Sequence, residues 1–178
     1  MTTENLHDLQ QAILSHSNQQ DLEFRKNAYA VMGNLLQARM HPEYCQFFVD
    51  RLSHENDKYV LDAMLVRLGK LVIPPVVNID AIIACTRHPE PLVRRSAIYG
   101  LRASDTEASR EALRFWLRLK KEKVPRFELT YALSALGYVG RMEDITLMEG
   151  YLQDAPQDVR RAAQYAIENI QKRNTAQE

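Results

Sequence analysis

The segment Val93–Leu101 reads VRRSAIYGL, and Val159–Ile167 reads VRRAAQYAI. Near-copies at an interval constrain a chain more than any single motif, because they mark a structural unit that is written several times and stacked on itself. With Leu101 as the anchor, the equivalent positions are Met32, Leu68, Leu101, Leu136 and Ile167. Their separations are 36, 33, 35 and 31 residues, a length that accommodates two helices and their turns. Four residues before each anchor stand Ala28, Met64, Ala97, Ala132 and Ala163, and four before those stand Phe24, Val60, Val93, Glu128 and Val159. With Leu35, Leu71, Val139 and Ile170 just beyond the anchors, these positions share one side of a helix. The recurring alanine lets a paired helix approach closely. Glu128 is the misfit, and one reading is a slip of the fourth unit by a residue onto Phe127.

Each such helix follows another with its own apolar stripe: Leu6–Leu9–Ile13, Tyr44–Phe47–Phe48–Leu52, Ile79–Ile82–Ile83, Leu113–Trp116–Leu117 and Ile145–Met148–Leu152. Pro42 after His41, Asn78 before Ile79 and Asp105 before Thr106 mark helix starts. Asp21, Asp57 and Glu90 precede three of the second helices, where an acid complements the N-terminal dipole, and Arg25 and Arg94 are spaced to pair with Asp21 and Glu90. The pattern predicts ten helices near residues 4–16, 21–38, 42–53, 58–71, 79–87, 91–103, 106–120, 125–139, 142–153 and 157–172, with no strand.

The VRR-x-A-x-x-x-L pattern, with an acid before it and often a glycine after it (Gly33, Gly69, Gly137), resembles the HEAT-repeat family. It is most like the short HEAT-like repeats of phycobilisome lyases and related bacterial proteins. The resemblance spans nearly the whole chain as a single domain over residues 1–178, clearest in the third and fifth units and weakest in the second, where Leu61 and Asp62 replace the two arginines. It implies an all-α fold, a right-handed α-solenoid of about five helix pairs, with the second helices lining a concave surface.

Charge and composition narrow the function. The apolar run Leu71–Val77 is broken by Pro74 and Pro75, and nothing approaches the roughly 20 apolar residues of a membrane span. Cys45 and Cys85 form no CxxC pair and read as small buried hydrophobes in a reducing compartment. The N-terminal stretch lacks the features of a secretory signal, and the expected location is cytoplasmic. Formal net charge is zero, but residues 91–126 carry 10 basic and 4 acidic groups, whereas residues 1–60 and 127–178 each carry 5 and 8. That distribution argues against broad nucleic-acid binding and allows a local anionic partner.

No catalytic constellation stands out. His16, His54 and His88 precede second helices, but none of them shares the close spacing that builds a zinc site on one helix, so no metal and no cofactor is expected. Deoxyhypusine hydroxylase, a HEAT-like enzyme, binds iron through His-Glu pairs, and this chain has one adjacent pair, His54–Glu55, placed in a turn. HEAT-like DNA glycosylases use aromatics on a strongly basic concave face. Trp116 here belongs to an apolar stripe instead.

The side of the second helices opposite the core is more informative. Position 2 after each stripe start reads Lys26, Asp62, Arg95, Thr130 and Arg161; position 6 reads Ala30, Val66, Tyr99, Ser134 and Tyr165; position 9 reads Gly33, Gly69, Arg102, Gly137 and Glu168. Tyr29, Tyr59, Tyr99, Tyr131, Tyr138 and Tyr165 all fall on second helices. Arginine and tyrosine dominate binding hot spots, since they bury large areas and keep a polar handle, and small residues beside them leave room for a guest. The candidate binding residues are Arg95, Tyr99 and Arg102, with Arg161, Tyr165 and Lys26 on the same face. A secondary basic stripe, Arg110, Arg114 and Arg118, continued by Lys120, Lys121 and Lys123, reads as a solvated outer face or a docking strip for an acidic partner. The expected function is non-catalytic: a solenoid that binds a protein partner with an acidic patch through its concave face, as adaptor, assembly chaperone or immunity-type inhibitor. The alternatives are a bilin-lyase-type enzyme, which the resemblance implies without indicating its residues, and a binder of a local anionic nucleic acid.

Overall fold

The computed structural model describes residues 3–16, 22–119, 125–153 and 156–176. Asp21, Lys120, Lys121 and Lys123 lie outside the described residues, as does the side chain of His16. The described residues form ten α-helices: α1 (Thr3–His16), α2 (Leu22–Ala38), α3 (Pro42–Asp50), α4 (Lys58–Leu68), α5 (Asp80–Cys85), α6 (Pro91–Gly100), α7 (Glu107–Arg118), α8 (Arg126–Val139), α9 (Ile145–Glu149) and α10 (Gln157–Thr175). No strand occurs among them. Tight 3-10 turns extend α3 over Arg51–His54 and α6 over Leu101–Ala103, and Met142–Asp144 forms another ahead of α9. The pattern therefore placed every helix, with α9 shorter than its stripe and α10 longer.

Local chemistry explains the starts. Pro42 and Pro91 open α3 and α6, where a missing N–H costs nothing. The Asp57 carboxylate accepts from the Tyr59 and Val60 amides at 2.8 and 3.1 Å, capping α4. Thr106, not Asp105, caps α7, its hydroxyl accepting from the Ser109 amide at 3.3 Å. Asn78 accepts from the Asp80 amide at 2.7 Å, one residue ahead of the α5 cap position.

The even-numbered helices pack side by side in chain order, α2 on α4, α4 on α6, α6 on α8 and α8 on α10. α1, α5, α7 and α9 each lie on the helix that follows, while α3 leans on α1, α2 and α5. The chain is an α-solenoid. Its core is the predicted stripe: Val60, Val93 and Val159, the recurring alanines, and Met32, Leu68, Leu101, Leu136 and Ile167 are all buried. Trp116 is buried as well.

Glu128 overturns the expected slip. It occupies its stripe position at 0% exposure, while Phe127 is 55% exposed. A bare carboxylate there would cost several kcal/mol, and Arg94 supplies the compensation through two hydrogen bonds to Oε1, at 3.1 and 2.8 Å. Arg95 Nε stands 3.5 Å from the other oxygen. Arg94 thus pairs forward to the next repeat, not back to Glu90. The same forward stitch recurs along the starts of the even helices: Arg25 to Glu55 at 2.9 Å, Lys58 to Glu90 at 3.3 Å and Arg126 to Asp158 at 2.7 Å.

Candidate functional site: a tyrosine cavity on the even-helix row

The face of the even helices turned away from the odd ones holds a cavity of about 320 Å³. Its lining comes from three successive repeats: Tyr99 of α6, Arg102 of the turn after it, Thr130, Tyr131, Ser134, Ala135 and Tyr138 of α8, and Tyr165 of α10. Side chains spaced four and seven along α8 emerge on one face, which is why Tyr131, Ser134 or Ala135, and Tyr138 face the cavity together.

Arg102 organises the site. Its guanidinium carbon lies 3.7 Å from the centre of the Tyr138 ring and 4.8 Å from that of Tyr99. Stacking on an aromatic face fixes the plane of the fork and leaves its N–H edges open. Arg102 makes no ion pair among the described residues, and no carboxylate lines the cavity. The Tyr165 hydroxyl donates to the Tyr138 oxygen at 3.2 Å, their rings 6.4 Å apart. When Tyr165 ionises, Tyr138 becomes the donor across the same contact; that bond, with Asn169 and then Arg102 assisting, pulls the Tyr165 phenol below its ordinary value and pushes Tyr138 up.

The small residues at position 9 do not leave room for a guest, because the next repeat already fills it. A Cβ on Gly69 would stand 2.5 Å from Cδ1 of Tyr99 and nearer still to Cε1, so the missing side chain is the seat of the Tyr99 ring. A Cβ on Gly137 would meet the Ala166 backbone at 3.1 Å and the Tyr165 ring at 3.4 Å. Two of the cavity tyrosines are thus positioned by glycines one repeat earlier.

Of the six candidate binding residues, the structure brings together Tyr99, Arg102 and Tyr165. Arg95 is drawn aside: it lies over the Phe127 ring at 4.7 Å and beside Glu128. Lys26 pairs with Glu23 at 3.2 Å on α2, and Arg161 sits exposed on α10 outside the cavity lining. Tyr131 and Tyr138 were missed as site residues. They stand one residue beyond positions 2 and 9, so a stripe read one residue wider would have included both. Tyr29 belongs to the core, stacked on Phe48 at 5.7 Å with its hydroxyl accepting from Arg51.

The basic stripe of α7 is not what its sequence suggests. Arg110 and Arg114 are buried, at 8% and 7% exposure, so they are neither a solvated face nor a docking strip. Arg110 donates to Asp105 at 2.6 Å and Glu107 at 2.9 Å. Arg114 donates to Asp144 at 2.5 Å, Glu111 at 3.1 Å and Glu143 at 3.4 Å, and also pairs with Glu107. These bonds raise the Arg114 pKa, Asp144 first among the causes, and hold Glu107 below its ordinary value. Arg118 alone of the three is exposed, and it pairs with Glu111 at 2.9 Å. Acids from α7 and from the turn before α9 converge here, so the network ties two repeats together.

The His54–Glu55 pair and His88 have structural partners. Glu55 of the His-Glu pair receives Arg25 and the Asn56 and Asp57 amides. His88 accepts from the Glu90 amide at 3.1 Å. Among the described residues no three His, Cys, Asp or Glu converge as a metal site.

A family model described as HEAT repeats matches residues 79–168. The chain belongs to the HEAT-repeat family. That span runs from the end of the Pro74–Pro75 loop into α10 and includes every residue of the tyrosine cavity. As a whole, the HEAT-repeat chain is similar to the crystal structure of an engineered protein, at a TM-score of 0.54 and 16% identity over 94% of this chain and 79% of the other. At that identity the likeness concerns the fold. No curated protein matches the sequence. The HEAT-repeat chain is a helical repeat scaffold, and no helix of its described residues is long and apolar enough to cross a membrane.

Proposed function

We propose that this HEAT-repeat chain is a non-catalytic scaffold that binds a protein partner on the inner face of its even helices. The observation that carries the reading is the cavity itself: Tyr99, Tyr131, Tyr138 and Tyr165 gathered around an arginine with no carboxylate partner. Tyrosine and arginine supply large contact area with few rotatable bonds, the composition of interface hot spots. The lining offers no cysteine, histidine or carboxylate to act as nucleophile or general base. Both cysteines are unpaired, and burial pushes each thiol up to about 11, away from the thiolate that nucleophilic catalysis needs. Free thiols held this way suit a reducing, cytoplasmic setting. Such a surface would serve an adaptor, an assembly chaperone or an immunity-type inhibitor.

The test is affinity capture from the native host followed by titration of the purified partner. Tyr131→Ala and Tyr165→Ala are expected to weaken binding at least tenfold with an unchanged melting curve, while Arg118→Glu leaves affinity intact. A partner indifferent to both tyrosine variants removes the reading.

A further inference from the structure

The tyrosine cavity does not end at Arg102. Arg102 and Tyr138 also form one wall of a second, larger depression of about 710 Å³. Its remaining walls include Met40, Leu71, Val72 and the Pro74–Pro75 turn. Val72 is 84% exposed, in a loop whose Ile73 amide is anchored to the Ala103 carbonyl at 2.8 Å. The two depressions therefore adjoin at Arg102 and Tyr138 and form a two-part groove, with hydroxyl-bearing rings on one side, aliphatic side chains on the other, and a stacked guanidinium at the junction.

Charge along this groove is one-sided. Arg102 and Lys70 have no side-chain ion pair among the described residues. Asp105, the one acid in the lining of the second depression, is already engaged by Arg110 at 2.6 Å and Arg141 at 2.9 Å. The junction thus presents a single guanidinium whose fork is held flat against Tyr138. A fork in that state matches one carboxylate in its own plane, two parallel N–H donors to two oxygens. Lys70 lines the second depression only, so a phosphate dianion seated among the tyrosines would meet Arg102 alone and keep uncompensated charge.

The hydroxyls indicate the backbone form of the guest. Tyr99, Tyr131 and Ser134 make no hydrogen bond through their side chains among the described residues, and all three line the cavity. A helix satisfies its own amides and carbonyls, whereas an extended chain carries unpaired ones along both edges. Free hydroxyls on the wall of a groove complement the second.

From these features we infer that the groove binds an extended segment of a partner protein in which an Asp or Glu side chain seats on Arg102 and a neighbouring aliphatic side chain seats against Val72 and the Pro74–Pro75 turn. The inference rests on the reading of this face as a protein-binding surface and names the chemistry of the segment.

The experiment uses capped peptides, so that terminal carboxylates play no part. An N-acetylated, C-amidated octapeptide library, with phosphoserine included among its building blocks, is selected on the intact wild-type chain. Selected peptides are labelled and titrated by fluorescence anisotropy. The expected result is enrichment of Asp or Glu at one position with Leu, Ile or Val nearby. Changing that acid to its amide is expected to weaken binding to wild type at least tenfold. Arg102→Gln should bind acid and amide peptides alike, Arg102→Lys should keep part of the preference, and Val72→Asp should erase the aliphatic preference alone. The acid-to-amide comparison uses unaltered protein, so it decides the matter even where Arg102→Gln fails to fold. Equal binding of acid and amide peptides, selection of phosphoserine over Asp and Glu, or no selection at all overturns the inference. The natural partner's dependence on Tyr131 and Tyr165 is measured separately, so a segment of other chemistry is distinguishable from a face that binds no protein.

Discussion

Arg114 and Arg102 belong to the same basic stretch, yet one is surrounded by carboxylates and the other touches none. Arg114 is held by Asp144, Glu107, Glu111 and Glu143; it is buried together with Asp144, while the three glutamates close over it from the solvent side. Arg102 is held by two aromatic rings and half-exposed at the mouth of a cavity. An arginine's part in a fold is set by where its counter-charges sit in space. Ion pairs supplied by the neighbouring repeat turn a surface-looking stripe into a strut. Rings supplied by the neighbouring repeat hold a guanidinium in place without neutralising it, which leaves its charge available to something else.

The largest effect that would break this contrast comes from the strut. Arg114→Ala leaves Asp144, itself only 2% exposed, with the Arg141 amide but no counter-charge, and losing one partner of a buried pair costs about 3–5 kcal/mol. The expected fall in melting temperature is roughly 6–20 °C, read by circular dichroism; an unchanged melt would show that the network is ornamental. Tyr99→Ala acts on the other cluster. Partner affinity should drop by about 2 kcal/mol, a hot-spot truncation, read by calorimetry with the partner, and wild-type affinity would move the binding surface elsewhere. Gly69→Ala sharpens the point, because it touches no ligand: a methyl there must push the Tyr99 ring off its seat. Weaker partner binding with helical content retained is the expected outcome, and retained affinity would show that Tyr99 need not be placed by its neighbour.

A smaller, pH-dependent effect distinguishes the clusters again. Hydrogen bonds from Arg110 and Arg114 hold Glu107 down, those from Arg118 and Arg114 hold Glu111 down, and that from Arg126 holds Asp158 down. A carboxylate depressed in the folded state contributes stability that is present above its unfolded value and lost as pH falls through the folded one. Urea midpoints should therefore be flat near neutrality and decline below the ordinary glutamate value of 4.5. The decline should be modest and salt-sensitive, because these acids are exposed to solvent. A midpoint that rises on acidification contradicts the strut. The smallest effect is chemical: Cys45, at 0% exposure with its thiol raised to about 11, should resist alkylation at neutral pH until the chain unfolds.

The helices were legible because their burial pattern is local and periodic. Alanine at the centre of the stripe and leucine four residues later state which side of a helix is inside, whatever lies opposite. What escaped the pattern was everything decided between repeats. Glu128 looked like a register error because its partner, Arg94, lies a full repeat away in sequence. The glycines at position 9 looked like open surface because Tyr99 and Tyr165, which fill the space, belong to the following unit. Arg95 looked equivalent to Arg102 on its helix, but Glu128 and Phe127 claim it. Tyr99, Arg102 and Tyr165 were found because exposed aromatics opposite a core stripe are informative without a partner. Tyr131 and Tyr138 were seen as tyrosines of second helices, and it takes the stagger of α6, α8 and α10 to bring them to the same hollow.

That stagger has a mechanical consequence. Because the cavity draws its walls from three repeats, a guest lodged in it acts as a clamp across α6, α8 and α10, fixing the pitch of one half of the superhelix. In a quasi-one-dimensional array, where each unit is steadied only by its neighbours, such a clamp raises the stability of the clamped units together and stiffens the spring over that span. The first two repeats contribute no residue to the tyrosine cavity, and the second meets it only where Gly69 seats Tyr99. The first would therefore go on breathing at its own rate, and amide exchange with and without a partner would divide the molecule into a locked part and a loose one.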